Sequence, residues 1–217
     1  MKGYDHVIEP PFEDVFRKDH ELKGKWHSEW FRNDKPIVLE LGCGKGEYTV
    51  GLADKYPDMN FIGIDIKGAR MWRGAKDSLQ KKMTNVAFLR TRIEFITSFF
   101  APGEVDEIWI TFPDPQPKRK QEKKRLPGPY FLNLYRKILK QDGKIHLKTD
   151  SRELYEYTLQ VVTSNNLSVI TSTPDLYHDL PGDDLLSIRT HYEEIFLARG
   201  IPITYLSFRL NNEKEII

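Results

Sequence analysis

The chain alternates between short runs of β-branched or aromatic residues and longer segments of helical periodicity, and this alternation predicts an α/β protein. Because helices separate most consecutive strands, the connections are crossovers and the sheet is mostly parallel, with helices on both faces. With 217 residues, the chain can bury one sizeable core. The seven predicted strands cover residues 37–41, 61–65, 86–89, 105–112, 144–148, 167–171 and 203–210.

The predicted helices fill the intervals between these strands, where apolar residues recur at helical spacing. They cover residues 47–55, 68–82, 94–99, 130–139, 154–164 and 192–198. Residues 1–36 are polar and aromatic with weak periodicity, and we predict that they form an N-terminal extension with one short helix at 12–18. Residues 37–217 are predicted to form a single domain.

The composition excludes several classes of protein. Hydrophobic residues make up 39% and charged residues 30% of the chain, which is typical of a globular protein rather than a disordered one. No apolar run approaches the roughly 20 residues that span a bilayer, and residues 1–10 lack the apolar core of a signal peptide. The single cysteine, Cys43, excludes an intrachain disulfide. We therefore expect a cytoplasmic, reducing setting without a membrane partner.

The formal net charge is only +1, but the basic residues are unevenly distributed. Six of the eight residues from 118 to 125 are basic, namely Lys118, Arg119, Lys120, Lys123, Lys124 and Arg125. A run of this kind is usually a solvated loop, but it can also bind the phosphates of a nucleic acid. Because this basic run directly follows a predicted strand end and an acidic Pro-rich loop, we favour phosphate binding.

A glycine-rich turn follows the first predicted strand. Ligands of such sheets bind at the carboxyl ends of the strands, and glycines let the backbone approach a ligand closely. The dinucleotide fingerprint would place its third glycine at position 47, which is Glu47 here. The spacing instead resembles the first motif of class I methyltransferases, and this resemblance implies S-adenosylmethionine as the cofactor. The motif residues are Glu40, Gly42, Gly44 and Gly46.

Asp65 ends the second predicted strand and is a candidate for binding a ribose. A carboxylate can accept hydrogen bonds from two neighbouring hydroxyls. An NAD-dependent enzyme would use an acid in the same place, so Asp65 alone does not discriminate between the two cofactors. Cys43 lies inside the glycine turn, where we interpret it as a small residue that fills a tight bend rather than as a nucleophile.

The segment after the fourth predicted strand, TFPDPQPKRKQEKKRL from 111 to 126, is the most specific in the chain. It resembles the F-P-D-P-W-x-K-x-R-H-x-K-R-R signature of the bacterial tRNA (guanine-N7)-methyltransferase family. The blocks at 146–150, 189–193 and 200–203 match further blocks of that family in the same order. The resemblance implies a Rossmann-like class I methyltransferase fold. It also implies an enzyme that methylates N7 of a guanine in tRNA, at variable-loop position 46.

The resemblance also implies roles for individual residues. Glu40, Asp65 and Asp114 would contribute to binding the cofactor, with Asp114 also at the reaction centre. The residues that would contact the substrate nucleotide are Lys118, Asp150, Thr190 and Glu193. The resemblance leaves open whether the protein is a monomer or a homodimer, and no metal is implied.

The chemistry of guanine N7 agrees with the residues of this loop. N7 is an acceptor with a free lone pair, so no proton must leave it before it attacks a methyl group. Enzymes that methylate exocyclic amines often carry an N-P-P-Y or D-P-P-Y loop, but residues 112–115 read F-P-D-P. Because methylation makes the purine cationic, a fixed carboxylate should stabilise the transition state. We predict that Asp114 supplies it, with Asp150 as a second candidate.

Several positions depart from the family pattern. Gln116 replaces the usual Trp, and Gln121 replaces a His. Arg92 stands where many relatives carry an Asp near the adenine, so Glu94 or backbone groups would have to recognise that base. Two other hypotheses stay open: a class I methyltransferase that acts on another nucleobase atom or on a protein, and a non-catalytic tRNA-binding module.

Overall fold

The computed structural model describes residues 4–183, 186, 188–210 and 214–217. Within these residues, eight strands form one sheet in the order β1-β4-β3-β2-β5-β6-β8-β7. Strands β1 to β6 pair in parallel, whereas β8 runs antiparallel to both of its neighbours. The strands are β1 (Val7–Ile8), β2 (Ile37–Leu41), β3 (Asn60–Asp65), β4 (Val86–Arg90), β5 (Val105–Thr111), β6 (Leu139–Thr149), β7 (Ser168–Thr173) and β8 (Thr204–Arg209).

Helices cover both faces of this sheet. They are α1 (Phe12–Val15), α2 (Glu47–Lys55), α3 (Gly68–Gln80), α4 (Ile96–Phe99), α5 (Pro129–Tyr135), α6 (Arg152–Ser164), α7 (Leu176–Asp179) and α8 (His191–Ala198). Shorter turns of π-helix at Trp26–Phe31 and of 3₁₀-helix at Ile93–Phe95 and Arg119–Lys124 complete the helical elements of the described chain. No described helix is both long enough and apolar enough to cross a membrane.

The central strands are apolar along their whole length because both faces of the sheet are covered. All five residues of β2 are buried, and two separate apolar clusters pack on opposite faces of the sheet. This is the pattern expected for a parallel sheet between two helical layers. The one charged residue of β2, Glu40, is therefore an exception that needs hydrogen-bond partners.

The sheet confirms the predicted fold class and adds one strand to the seven predicted. The extra strand, β1, pairs with β4 but is only two residues long, which is too short to leave a periodic signal. Trp26 is also fully buried, and its indole nitrogen donates to the Phe99 carbonyl at 2.9 Å. The segment before residue 37 thus contributes to the core of the sheet. The division of the chain into an extension of residues 1–36 and a domain of residues 37–217 stays a prediction.

Helix α5 and strand β6 differ in length from their predicted counterparts. The helix predicted at 130–139 ends at Tyr135, and β6 starts at Leu139 rather than at residue 144. Leu139 pairs with Val105, but the register shifts before Lys144 pairs with Glu107. Asp142 lies within this irregularity and has a φ of 65°.

The strand order places the glycine turn near the middle of the end of the sheet at which the parallel strands finish. Chain connections leave β2 toward β3 on one side, while β5 lies on its other side. Ligands of open α/β sheets bind at such a switch point, outside the carboxyl ends of the strands. The turns after β2, β3, β5 and β6 all lie at this end, which is where the sequence-predicted site residues are found.

Candidate active site

Two connected cavities open at the carboxyl ends of the central strands. The outer cavity has a volume of about 590 Å³, and its apolar lining residues include Ile66 and Leu126 from two loops and Phe131 from α5. The inner cavity has a volume of about 90 Å³ and is more polar. Because Gly42 and Asp65 line both cavities, the two form one cleft.

The three glycines of the turn differ in what requires them. All three have positive φ, between 54° and 76°, which favours glycine. A side chain on Gly42 or Gly44 would meet nothing closer than 3.8 Å, so both backbones face open space in the cleft. A side chain on Gly46 would lie 2.6 Å from the Phe88 ring. Gly42 and Gly44 therefore leave room for a ligand, whereas Gly46 is required by packing.

Glu40 places a fully buried carboxylate at the floor of the inner cavity. It accepts hydrogen bonds from the Thr111 hydroxyl at 2.6 Å, from the Thr49 backbone NH at 2.8 Å, and from the Thr49 hydroxyl. Burial raises the pKa of Glu40 to about 7, and the hydrogen bonds from Thr111 and Thr49 oppose that rise. Sequence analysis found the acid but not these two threonines, which orient it.

Asp65 braces the glycine turn from the end of β3. One carboxylate oxygen accepts from the Gly44 NH at 2.9 Å and the other from the Lys67 NH at 2.8 Å. Each oxygen keeps lone pairs for other donors. Asp65 therefore fixes the turn and still offers acceptors to both cavities.

The outer cavity combines apolar walls with an exposed ion pair. Ile66 is 53% exposed, which is unusual for a large aliphatic side chain, and it faces this cavity. Arg92 donates to Glu94 at 3.0 Å on the same wall. Burial alone would raise the pKa of Glu94, but the hydrogen bonds from Arg92 and the backbone, together with the charges of Arg92 and Lys124, outweigh burial, and the pKa lies below its usual value. Glu94 therefore stays an acceptor next to an apolar slot.

The loop after β5 carries Asp114 on a strained backbone. Phe112 and Gln116 have φ of 47° and 48°, in the left-handed region that non-glycine residues rarely occupy. Phe112 lines the inner cavity, whereas Asp114 is exposed outside the walls of both cavities, and its carboxylate accepts from the Gln116 NH at 3.3 Å. The structure thus places Asp114 on the rim of the cleft rather than in its floor.

The basic run forms a 3₁₀-helical turn beside the outer cavity. The Lys118, Arg119 and Lys120 side chains are exposed, and the exposed Lys123 and Lys124 line the cavity. These five side chains are free to meet phosphates. All five are exposed in one stretch of the chain, from Lys118 to Lys124, and make it a basic surface.

Arg125 does not share that surface. Its residue is 7% exposed, and its guanidinium donates to the Gln116 carbonyl at 3.2 Å and to Glu153 at 3.0 Å. The same group lies 4.3 Å from the centre of the Tyr157 ring. Arg125 therefore ties the loop after β5, which we call the reaction loop, to α6. This buried position differs from the exposed position expected for Arg125 within the basic run.

A buried ion pair connects the end of β6 to α8. Lys148 and Glu193 are both fully buried, with 2.7 Å between the ammonium and the carboxylate. Glu193 also accepts from the Tyr177 hydroxyl at 2.5 Å, and Lys148 donates to the Leu186 and Ile188 carbonyls. Burial lowers the pKa of Lys148, and the facing Glu193 offsets part of that fall.

Thr190 begins α8 as part of a capping box. Its hydroxyl accepts from the Glu193 NH at 3.2 Å, and the Glu193 carboxylate accepts from the Thr190 NH at 3.3 Å. Thr190 lines the inner cavity, but Glu193 does not. Asp150, the other predicted contact on this side, is half-buried after β6, and burial raises its pKa.

Sequence analysis missed Lys148 as a residue of interest, although a signal was present. A lysine between Leu147 and Thr149, at the end of a central strand, needs a buried partner, because lysine is almost never fully buried unpaired. Cys43 is buried, and burial raises the pKa of its thiol well above the usual value. This agrees with the interpretation of Cys43 as a packing residue.

The chain matches the family model described as "Putative methyltransferase" over residues 34–206. Curated relatives named tRNA (guanine-N(7)-)-methyltransferase include one from Bacteroides thetaiotaomicron, 57% identical over 98% of this chain and 84% of the relative. The one from Porphyromonas gingivalis is 56% identical over 97% and 86%. The one from Geobacillus thermodenitrificans is 39% identical over 82% and 81%.

Solved structures with the same fold are more distant in sequence. The 16S rRNA methyltransferase KamB has a TM-score of 0.65 at 13% identity and covers 91% of this chain, with 98% of its own chain matched. A 30S ribosomal A1408 methyltransferase from an uncultured bacterium has a TM-score of 0.62 at 20% identity, covering 88% and 95%. These structures support the fold alone. The curated relatives go further, and the chain belongs to the tRNA (guanine-N(7)-)-methyltransferase family.

Proposed function

We propose that this protein transfers the methyl group of S-adenosylmethionine to N7 of a guanine in tRNA, at position 46 of the variable loop. The observation that carries the proposal is the reaction loop: an exposed carboxylate, Asp114, is followed by five exposed cations, of which Lys123 and Lys124 line the cleft. Cations can bind the phosphates of an RNA strand, and a carboxylate can stabilise a purine that becomes cationic on methylation. The names of the curated relatives support the same reaction. The proposed setting is the cytoplasm.

The cleft fits S-adenosylmethionine. Gly42 and Gly44 leave open space above the turn, and Asp65 offers acceptor oxygens for ribose hydroxyls. The apolar walls of the outer cavity suit a purine ring, and Glu94 is an acceptor for its amino group. Glu40 at the inner end suits a methionine ammonium. When bound, the cofactor supplies a methyl group activated by its positively charged sulfur.

Asp114 and Asp150 then act on the guanine. No base is needed to free N7 for attack, so their task is to orient the purine and to stabilise its developing positive charge. Asp114 is exposed and keeps most of its acceptor capacity, because within the described part of the chain the Gln116 NH is the one donor to its carboxylate. Asp150 is half-buried with a raised pKa, which makes it the weaker candidate for an anionic contact.

The remaining predicted substrate residues divide into contacts and supports. Lys118, Arg119, Lys120, Lys123 and Lys124 would bind phosphates next to the target nucleotide, and Thr190 faces the inner cavity. Arg125 and Glu193 are buried and act as positioning residues: one holds the reaction loop, and the other holds the start of α8.

The test is methylation of unmodified tRNA by the Asp114→Asn variant, with the product identified as N7-methylguanosine by nucleoside analysis and its site mapped by chemical cleavage. We expect turnover to fall roughly 10²- to 10³-fold, the size seen when one preorganised electrostatic contact is lost. The matched control is Asp58→Asn, an exposed acid just before β3, at the opposite edge of the sheet.

Wild-type turnover in Asp114→Asn, with intact folding, would refute the role of Asp114. A methylated product other than N7-methylguanosine would refute the proposed reaction itself. Methylation at a guanine other than position 46 would refute only the assigned site.

A further inference from the structure

The outer face of α3 carries a row of cations around an exposed tryptophan. Trp72 is 44% exposed, and the Lys76 ammonium lies 5.3 Å from the centre of its ring. Lys67, Arg70 and Arg73 follow one another at spacings of three residues, so they share one side of the helix. All three are exposed. The function proposed above uses none of these residues.

Helix α3 packs directly against the glycine turn. A side chain on Gly74 would lie 2.7 Å from the Lys45 carbonyl and 2.8 Å from the Phe88 ring, so only glycine allows this approach. Arg70, one turn earlier, lines the inner cavity together with Lys45. The row of cations therefore begins at the cleft and runs away from it along α3.

Among the residues that the structure describes, no strong ion pair neutralises the charge of this face. Arg73 pairs with Asp77 at 3.2 Å, but both side chains are exposed, and such i, i+4 pairs contribute only a few tenths of a kcal/mol. An incoming phosphate can displace a contact of this strength. An exposed tryptophan beside cations is also typical of surfaces on which unpaired bases stack.

The sheet order places this face and the basic run on opposite sides of the cleft. Helix α3 follows β3, whereas the basic run follows β5, and β3 and β5 flank β2 on its two sides. A tRNA strand that delivers a guanine to the cleft continues on both sides of that nucleotide. The basic run can hold only one of those two flanks.

We propose that the α3 face, defined as Lys67, Arg70, Trp72, Arg73 and Lys76, is a second RNA-binding surface that holds the tRNA nucleotides on the other side of the target guanine. The inference rests on the proposed function and names where its substrate lies. The cations bind phosphates, and Trp72 stacks with a base that is unpaired when the guanine is presented.

The first test is the salt dependence of tRNA binding by the triple variant Lys67→Gln/Arg73→Gln/Lys76→Gln. Each phosphate contact steepens the salt dependence by about 0.7 to 0.9 logarithmic units per tenfold change in salt. Losing three contacts should reduce the ratio of affinities at about 50 mM and 200 mM salt by roughly 20- to 40-fold. Arg70 is left in place because it lines the cleft.

The matched control removes three cations near the opposite edge of the sheet, the exposed Lys25 and Lys137 and the half-buried Lys35, in Lys25→Gln/Lys35→Gln/Lys137→Gln. Binding of S-adenosylhomocysteine, measured by calorimetry, should stay at the wild-type value in both triple variants and reports an intact cleft. An unchanged salt slope in the α3 variant would overturn the proposal, and so would an equal loss in the control.

The second test uses the fluorescence of Trp72. Of the four tryptophans, Trp26 and Trp109 are buried and Trp30 is half-buried, so Trp72 is the one most open to a soluble quencher. Saturating tRNA should protect it from acrylamide, and Trp72→Phe should abolish the protected signal. Trp72→Ala should weaken binding roughly tenfold or more. Full quenching of Trp72 in the tRNA complex would overturn the proposal.

These outcomes are separable from failure of the proposed function. If wild-type protein forms N7-methylguanosine but the α3 variants bind tRNA normally, only the second surface is refuted. If the α3 variants lose RNA binding but wild-type protein yields a different methylated nucleoside, the surface stands and the proposed reaction does not.

Discussion

The reaction loop after β5 and the block formed by the end of β6 and the start of α8 both match motifs of the family, yet their charged side chains differ in burial. In the loop, Asp114 and the side chains from 118 to 120 are exposed. In the block, Lys148 and Glu193 are completely buried and pair with each other. A motif shared with a family therefore marks two kinds of residue: those that can touch a substrate and those that hold the backbone from which the first kind projects.

The largest expected effect comes from the buried pair. Glu193→Ala leaves the Lys148 charge buried without its carboxylate partner, and we expect the free energy of unfolding to fall by about 3–5 kcal/mol. Urea denaturation measures it. The double variant Lys148→Met/Glu193→Leu should recover most of this loss, because it removes both charges. If Glu193→Ala unfolds at the same urea concentration as Asp114→Asn, the distinction between the two regions is wrong.

Glu40 combines the properties of the two regions, because it is buried like Lys148 and Glu193 and also lines the cleft. Its pKa is raised from 4.5 to about 7, so folding favours its protonated form. The associated stability is complete below about pH 4.5 and is lost as the pH rises through 7. The shift corresponds to a loss of about 3 kcal/mol across that window. Glu40→Gln should show a smaller fall in unfolding free energy between pH 5 and 8, as followed by urea denaturation at each pH.

A curve for Glu40→Gln that is parallel to that of the wild type would show that another group controls the pH dependence. Thr49 can donate to the amide oxygen of glutamine, and the Thr111 hydroxyl, which faces the other position, can accept from the amide nitrogen. The variant is therefore expected to fold, and the comparison of the two curves isolates the titration of this one carboxyl group.

The smallest expected effect repeats the comparison within the glycine turn. Gly46 and Gly103 have the same φ of 72°, but a side chain would strike Phe88 at position 46 and nothing within 4 Å at position 103. Both alanine variants therefore carry the same strain in φ. We expect Gly46→Ala to lose a further 1–3 kcal/mol or so of unfolding free energy from overpacking. Thermal denaturation of the two variants measures the difference, and equal losses would contradict the packing role of Gly46.

Much of the fold could be predicted from sequence because burial on both faces leaves a strong signal. Strand β2 is apolar throughout except for Glu40, and the glycine turn and Asp65 follow at the expected places. Strand β1 could not be predicted, since two residues have no period. The predicted helix at 130–139 was too long because nothing local marks Tyr135 as its end, where the chain must turn into β6.

The roles of the site residues were harder to predict than their positions. The basic run gives no hint that Arg125 turns inward, because its partners Glu153 and Tyr157 lie on α6, beyond α5 and β6. The pairing of Lys148 with Glu193 joins residues 45 positions apart, and no local pattern encodes it. Tertiary contacts decide whether a charged residue faces solvent or the core, and those contacts depend on the strand order.

The burial of Cys43 has a practical consequence for spectroscopy on this protein. Maleimide-type dyes react with thiolates, and burial keeps this thiol protonated and shielded. Because the chain has one cysteine, a second cysteine placed on an exposed residue would be labelled selectively in the native protein without first replacing Cys43. A donor dye on α3 and an acceptor on a tRNA would then report their separation in solution, with the cofactor turn left unaltered.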